Sequence, residues 1–474
     1  MNVIVIVTDS LRADHCGCYP ICLEYNGKKV STPNFDRLAA DGTAFLHAYS
    51  ESLPTLPTRT TWWTGRVGFP FRGWQTFEHD DYLLAEVLWD KGYTSALFTD
   101  TYHMHKPTYN CGRGFDTVGW VRGQEYDPWI IDDRAVDLDL WHRLRGDESD
   151  NLWRPRFEQY LKNRSVLNSE EDWFAPRVTQ KAVQWLDDQV RTKGCKDQLF
   201  LWVDYFTPHE PWDPPEPYWD MYKDPNYTGQ DIIDPVAGPT AGYLTDDEVQ
   251  RVKSLYAGEV TFVDKWAGAL LDHLRELGIY EDSLIMWLSD HGEPFNEHGI
   301  IRKARPWNYE ELVHIPWLLK LPAPVRDDIG IVPAQSDALV QPTDFMPTVL
   351  DVLDIPTPLP LSYKAPRSAG SFPQDMTLAE NVVELHGNSL LPLLRGDTDR
   401  VRDFAFTGHH KQSWAIQNQE WRYQLFLKGD KKGPELFHRP NDPYDQKNVI
   451  QENQEIADEM ELTLRRWLTD LGLT

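Results

Sequence analysis

The chain has 474 residues, 41% of them hydrophobic, including 20 Trp and 20 Tyr. This is enough apolar material for one large α/β domain and a smaller one, and it excludes a disordered chain. A formal net charge of −27 repels nucleic acid and anionic membrane surfaces, so neither is an expected partner.

Met1-Asn2 runs directly into the apolar stretch Val3–Val7, which ends in Thr8-Asp9-Ser10. With no basic segment before it and no small-residue cleavage site, the stretch is predicted to be a first strand and not a signal peptide. A short helix follows over Phe35–Asp41, and a second over Asp80–Lys91 is stopped by Gly92. Ser95–Phe98 is the next strand, leading into Thr99-Asp100-Thr101-Tyr102. A long amphipathic helix over Trp173–Arg191, with Gly194 as its stop, precedes the strand Leu199–Phe206 and the loop Thr207-Pro208-His209. Another over Asp246–Leu277, stopped at Gly278, precedes Leu284–Leu288 and Ser289-Asp290-His291-Gly292. No stretch approaches the ~20 apolar residues that span a bilayer.

The Pro-rich stretch Pro356–Pro373 reads as a linker or surface loop. Beyond it, Phe404–Thr407, Ser413–Gln417 and Tyr423–Leu427 alternate like antiparallel strands, and Gln454–Leu471 reads as a closing helix. The predicted organisation is a large α/β domain over 1–385 and a C-terminal α+β subdomain over 386–474. Near-continuous apolar strands alternating with helices predict a mostly parallel sheet sandwiched by helices. Such sheets bind ligands beyond the carboxyl ends of their strands. Asp9, His209, Asp290 and His291 all fall there.

Asp9, Asp290 and His291 together suit one divalent ion (Mn²⁺, Zn²⁺ or Mg²⁺), with the Thr55 oxygen as a further ligand. Thr55 opens the run Thr55-Leu56-Pro57-Thr58-Arg59, and the helix it starts ends at Thr64-Gly65-Arg66. Pro57 fits a first turn, and the amides of a helix N-terminus favour an incoming anion. Arg59, one turn on, can reach the nucleophile or the phosphoryl oxygens. His209, between prolines on a strand-end loop, is a candidate general acid, and Lys303 a candidate anion ligand. The five cysteines are an odd number in a large chain, which suits a reducing compartment, so a cytoplasmic location is expected. Cys16, Cys18 and Cys22 lack a second pair at zinc-ribbon spacing and read as loop thiols.

The chain resembles the sulfatase family of the alkaline phosphatase superfamily, which includes arylsulfatases and phosphonate monoester hydrolases. The likeness rests on Asn2 to His15, Thr32-Pro-Asn-Phe-Asp-Arg-Leu38, the Thr55 run, Gly92-Tyr93, Thr207-Pro-His209 and Ser289-Asp-His-Gly-Glu293 to Lys303. It continues through Thr343-Asp-Phe-Met-Pro347-Thr348 and His386 to Leu394. The resemblance implies an alkaline phosphatase-like fold and one divalent metal on Asp9, Asp290 and His291; Ca²⁺ joins the candidates because the family often uses it. It also implies Thr55 as nucleophile, Arg59 as its partner, and His209 and Lys303 as substrate ligands. Asp100, Tyr102 and His298 are expected to contact substrate, and Trp120, Tyr126, Trp212 and Trp219 either wall its pocket or simply pack.

Three departures from the family pattern matter. Ser10 stands where sulfatases usually carry a second aspartate. Thr99-Asp100-Thr101-Tyr102 replaces a typical Gly-Lys-x-His. Thr55 stands where a cysteine or serine is oxidised to formylglycine, and threonine cannot become that aldehyde. The leading expectation is therefore a metal-dependent hydrolase of phosphodiesters or phosphonate monoesters, working on a small-molecule anionic ester through a Thr55 covalent intermediate. The alternatives are a sulfatase of small organic sulfates, a phosphotransferase, and a non-catalytic binding protein on a sulfatase frame. The sequence leaves both a monomer and a homo-oligomer open.

Overall fold

The computed structural model describes residues 1–79, 81–138, 143–145, 149–303, 306–357, 359–360, 382–427 and 433–473. Its centre is an eight-stranded sheet. In chain order the strands are β1 (Asn2–Thr8), β2 (Thr43–Ala48), β4 (Thr94–Thr99), β5 (Thr117–Trp120), β6 (Leu199–Tyr205), β7 (Ser283–Leu288), β8 (Trp317–Lys320) and β9 (Gln335–Val340). The short β3 (Ser52–Leu53) belongs to a second sheet. The spatial order is β9-β2-β8-β7-β1-β6-β4-β5. Only the pairings of β8 with β7 and β2 are antiparallel.

The four strands expected from the sequence are adjacent at the centre, as β7-β1-β6-β4. Their central position follows from their composition. Residues of β1 alternate between two apolar layers, Ile4 and Ile6 on one face and Val3, Val5 and Val7 on the other. A strand with no polar face is stable only between two layers of helices. On the first face lie α1 (Pro33–Ala40), α3 (Phe174–Asp187) and α4 (Asp246–Glu276), which supply Phe35, Val178, Leu186, Leu255 and Leu271. On the other lie α2 (Thr55–Thr64) and α5 (Phe345–Val352), with Trp62, Trp63, Phe345 and Met346. The helix read at Asp80–Lys91 forms over Leu84–Asp90; Asp80 lies outside the described residues.

All ten residues of α2 are buried, so it has no solvated face. Its threonines tolerate this because Thr60, Thr61 and Thr64 donate their hydroxyls to the carbonyls of Leu56, Pro57 and Thr60, four residues back. Gly65 ends the helix at φ 64, and its N–H reaches Thr61 O.

The second sheet has the order β13-β12-β11-β10-β3, where β10 is Ala405–His409, β11 Ser413–Gln417, β12 Trp421–Phe426 and β13 Glu435–His438. The closing helix α6 (Gln454–Asp470) packs on it through Met460, Leu464 and Leu468. The sequence reading did not foresee β3. It lies just before Thr55 and pairs in parallel with β10, tying the helix that begins at Thr55 to the C-terminal sheet. Most of the Pro356–Pro373 stretch lies outside the described residues. Among the described residues no helix is long and apolar enough to cross a membrane.

Candidate active site

β1 and β7 are neighbours in parallel register, so the residues that follow them, Asp9 and Asp290-His291, emerge side by side. Ser10 makes the turn out of β1 at φ 63, a left-handed conformation that a serine adopts only when held. Three contacts hold it. Ser10 N–H donates to Asp290 Oδ1 (3.0 Å), and Leu11 N–H donates to Ser289 Oγ (2.9 Å). Tyr256 of α4 accepts the Arg12 N–H at its hydroxyl oxygen (2.9 Å) and donates to Ser10 O (2.8 Å). One phenol thus clamps both sides of the turn. The Ser10 Oγ also donates to Asp9 Oδ1 at 3.1 Å, where the family pattern has a second carboxylate.

Asp9, Asp290 and His291 bring one ligand atom each to within 4.8 Å of one another, all fully buried. His291 Nδ1 lies 2.8 Å from Gly292 O, so Nδ1 carries the proton and Nε2 presents a lone pair. That lone pair faces Asp9 Oδ1 at 3.7 Å, Asp290 Oδ2 at 3.6 Å and Thr55 Oγ1 at 3.4 Å. Four electron-rich atoms converge on one point away from water, and a cation resolves that arrangement. The titration behaviour agrees. Burial, and then the charge of Asp290, push the Asp9 carboxyl well above the usual carboxylate range. Burial also opposes ionisation of Asp290, but His291, Arg59 and hydrogen bonds from Asp9 and Ser10 outweigh it and hold its pKa low. The residues fit a divalent ion.

Arg59 is 1% exposed, and all five of its N–H donors are spent. Nε and Nη2 grip Asp204 (2.8 and 2.6 Å), and Nη2 also reaches Asp9 Oδ2 (3.1 Å). Nη1 reaches Asp290 Oδ2 (2.7 Å) and Thr55 O (3.1 Å). The sequence reading allowed Arg59 to reach substrate; here it is an internal counter-ion that fixes the carboxylates of Asp9, Asp204 and Asp290 and the backbone of Thr55. Its strongest partner, Asp204 at the end of β6, was not singled out in the sequence. Asp204 looks there like one more strand-end acid, and only the packing of α2 over the end of β6 brings Arg59 to it. Thr101 Oγ1 and Trp202 Nε1 donate to Asp204 as well (2.7 and 3.2 Å).

His209 is stacked on Phe206 at 3.8 Å, and its Nδ1 donates to Glu210 O at 2.7 Å. Burial depresses its pKa to about 3, so it is neutral near pH 7 and accepts at Nε2. Lys303 lies between Glu210 (2.7 Å) and Glu293 (2.9 Å). Burial works against its charge, but the two glutamates raise its pKa above the usual lysine value. Arg302 grips Glu210 and Asp234, and Glu125 lies beside this group, 3.0 Å from His103. Glu210, Glu293 and Glu125 were likewise missed: acids flanking a histidine or lysine in sequence give no sign that they pair with it in space.

The remaining candidates have other neighbours. Asp100 accepts from Phe206 N–H (2.8 Å) and Gln124 Nε2 (2.9 Å), and burial raises its pKa to about 6. It fastens the loop carrying Phe206. Tyr102 packs on Tyr126 with ring centroids 5.1 Å apart and is half-buried. His298 is not brought to this cluster. It stacks on Tyr309 at 3.6 Å, and its ring nitrogens reach Glu311 (2.7 Å) and Asp445 O (2.9 Å), at the seam with the C-terminal sheet. Trp212 packs in the core against Phe295, Trp219 against Arg251, and Trp120 against His105.

The family model for sulfatases matches residues 1–355. The chain belongs to the sulfatase family. It is 25% identical to an arylsulfatase of Clostridium perfringens over 397 residues, covering 75% of this chain and 76% of that one. It is 23% identical to arylsulfatase K of Bos taurus, covering 98% of this chain and 81% of the relative. The phosphonate monoester hydrolase of Agrobacterium radiobacter superposes with a TM-score of 0.70 at 18% identity, covering 100% of this chain and 96% of that one, which shows the shared fold. This sulfatase-family protein is an ester hydrolase, and its family binds a divalent metal.

Proposed function

We propose that this sulfatase-family hydrolase cleaves phosphodiesters or phosphonate monoesters through a covalent Thr55 intermediate. The observation that carries the reading is the Thr55 hydroxyl. It stands first in α2, 3.4 Å from His291 Nε2, in the position where the family forms an aldehyde. A sulfated formylglycine hydrate releases sulfate by elimination, without attack at sulfur. A threonine ester lacks that exit and opens only by attack of water at its central atom. In-line displacement at phosphorus suits that demand.

Asp9, Asp290 and His291 would hold the divalent ion, with Thr55 beside them. Once bound, the ion withdraws charge from the hydroxyl and from the non-bridging oxygens of the ester. Arg59, fully committed to Asp204, Asp9, Asp290 and Thr55 O, keeps these groups in place. Among the described residues, Lys303 is the cation near the cluster held only by glutamates, which an ester oxygen can replace. The negative charge of a bound ester raises the low pKa of His209, and a protonated His209 can then supply the leaving oxygen. Two carboxylates balance a divalent ion, leaving Lys303 to meet a singly charged ester. A neighbour described as a phosphonate monoester hydrolase supports the same reading.

The second reading is a sulfatase of small organic esters, supported by relatives described as arylsulfatases. Turnover of bis(4-nitrophenyl) phosphate, 4-nitrophenyl phenylphosphonate and 4-nitrophenyl sulfate by Mn²⁺-loaded protein separates the two. The phosphorus esters are expected to turn over faster, with activity abolished in Thr55→Ala and retained in part in Thr55→Ser. A large preference for the sulfate, or unchanged phosphodiesterase activity in Thr55→Ala, overturns the proposal.

A further inference from the structure

A rim of aromatic rings and cations adjoins His209 and Lys303 outside the buried centre. It starts at Glu125, which brings a carboxylate oxygen to within 4.8 Å of a His209 ring nitrogen. The next residue, Tyr126, packs on Tyr102 with ring centroids 5.1 Å apart. A second element, the helix Ser149–Arg164, completes the rim. This helix buries Phe157, Tyr160 and Leu161 in the core. Trp153 and Arg156, three residues apart on it, are neighbours on its surface. The Trp153 ring carries Arg302 at 4.8 Å, and Arg302 shares Glu210 with Lys303. The rim is thus joined to the centre through both elements. Its side chains Tyr102, Tyr126, Trp153 and Arg156 are only partly buried, so a molecule in solution can meet them.

Arg156 is the decisive residue. Its guanidinium lies 4.7 Å from the centroid of Tyr126 and 5.3 Å from that of Trp153. The chain carries a net charge of −27, and other arginines of this region are spent on its acids. Arg122 pairs with Asp127, Arg164 with Asp213, and Arg302 with Glu210 and Asp234. Arg156 is held by rings instead, and among the described residues it makes no ion pair. A guanidinium held through its flat face keeps its in-plane N–H donors for another acceptor. Lys106 is in a like state, 5.3 Å from the centroid of Tyr102 and 5.9 Å from that of Tyr109. The nearby acids are committed elsewhere, Glu125 to His103 and Asp127 to Arg122. Two cations resting on the Tyr102–Tyr126 pair, with no carboxylate of their own, make this part of an acidic protein receptive to an anion.

We propose that the rim is a specificity subsite for an ester whose organic substituent carries a second anionic group. The body of the substituent lies along Tyr102 and Tyr126, and its carboxylate or other oxyanion reaches Arg156. The inference rests on the proposal that the centre cleaves phosphorus esters. Lys303 meets the charge of the ester and Arg156 that of the substituent, so each anionic group has its own cation. A two-pronged guanidinium–carboxylate contact at a partly exposed position favours the charged substituent about tenfold over a neutral one.

Isothermal titration of the full-length, Mn²⁺-loaded protein with phenylphosphonate and biphenyl-4-ylphosphonate, each with and without a carboxylate at the far para position, tests this. At one of the two lengths the carboxylate is expected to tighten binding at least tenfold. Arg156→Met is expected to erase that gain, so that carboxylated and plain probes bind alike, and Arg156→Lys to keep part of it, because the charge stays while the fork of donors is lost. The readout is the ratio of the two affinities within one variant, which a general loosening of the helix does not move. No gain at either length, or a gain that survives Arg156→Met, overturns the subsite. The plain probes separate the two failures. If neither binds, the phosphorus-ester reading fails and the subsite with it; if they bind and the carboxylate adds nothing, the subsite alone falls.

Discussion

Replacing Asp204 by asparagine removes one negative charge from a cluster that holds three carboxylates (Asp9, Asp204, Asp290) around one guanidinium. The substitution keeps the shape of the side chain but leaves one Arg59 N–H facing an amide donor in a site 1% and 0% exposed at the two partners. Breaking a buried ion pair from one side costs roughly 3–5 kcal/mol. A second effect concerns the metal. With Asp204 neutral, the Arg59 charge is offset only by Asp9 and Asp290, so it competes with a cation for them. One unit charge acting on a divalent ion over ~8 Å at an effective dielectric of ~20 amounts to on the order of 4 kcal/mol, or about a thousandfold loss of affinity. Urea unfolding of the metal-free protein reads the first effect, and Mn²⁺ titration reads the second. The control is the same change in an Arg59→Met background, where both losses should shrink because no guanidinium is left unpaired. A loss below about 1 kcal/mol, or equal losses in the two backgrounds, would refute the view of Arg59 as an internal counter-ion set by Asp204.

Three further outcomes are expected. Tyr256→Phe removes the hydroxyl that bridges Arg12 N–H and Ser10 O; Mn²⁺ affinity should fall about tenfold while stability of the metal-free protein changes by only about 1 kcal/mol. Unchanged Mn²⁺ binding would show that the Ser10 turn holds without the clamp. Gly292→Ala places a Cβ 2.1 Å from Glu311 O, a backbone atom, so the loop carrying His291 must shift. A loss of roughly 1–3 kcal/mol is expected, and an unaltered urea midpoint would contradict the contact. Burial depresses the pKa of His47 and His105 to about 4 and of His209 to about 3. The unfolded chain therefore binds more protons below the ordinary histidine pKa of about 6.5. Stability is fully present above that value and falls as pH drops toward 4, by roughly 1.4 kcal/mol per pH unit for each imidazole. His47→Gln should flatten the urea midpoint against pH in that window, and an unchanged slope would remove His47 from the account.

Much of the molecule was legible because its signals are local. The strands β1, β4, β6 and β7 announce themselves as apolar runs, since a sheet buried on both faces admits few polar positions, mostly near the strand ends. Asp9, Asp290 and His291 could be grouped because they directly follow two such strands, and parallel pairing brings strand ends together. Thr55 was readable from the run it begins. The sequence thereby determined the α/β class, the family likeness and the three metal candidates.

What it could not determine depends on the direction of side chains across elements far apart in the chain. Arg59 and Asp204 are separated by 145 positions, and only the placement of α2 over the end of β6 makes them partners. His298, only four residues before Arg302-Lys303, looks like part of the same loop chemistry, yet its ring turns to Tyr309 and Asp445. Lys303 reads as a free cation until the fold sets Glu210 and Glu293 on either side. Composition and periodicity report which residues are buried and on which element. Whether a buried charge faces a substrate or another charge is decided only when the elements pack, because each pair is formed by long-range contacts.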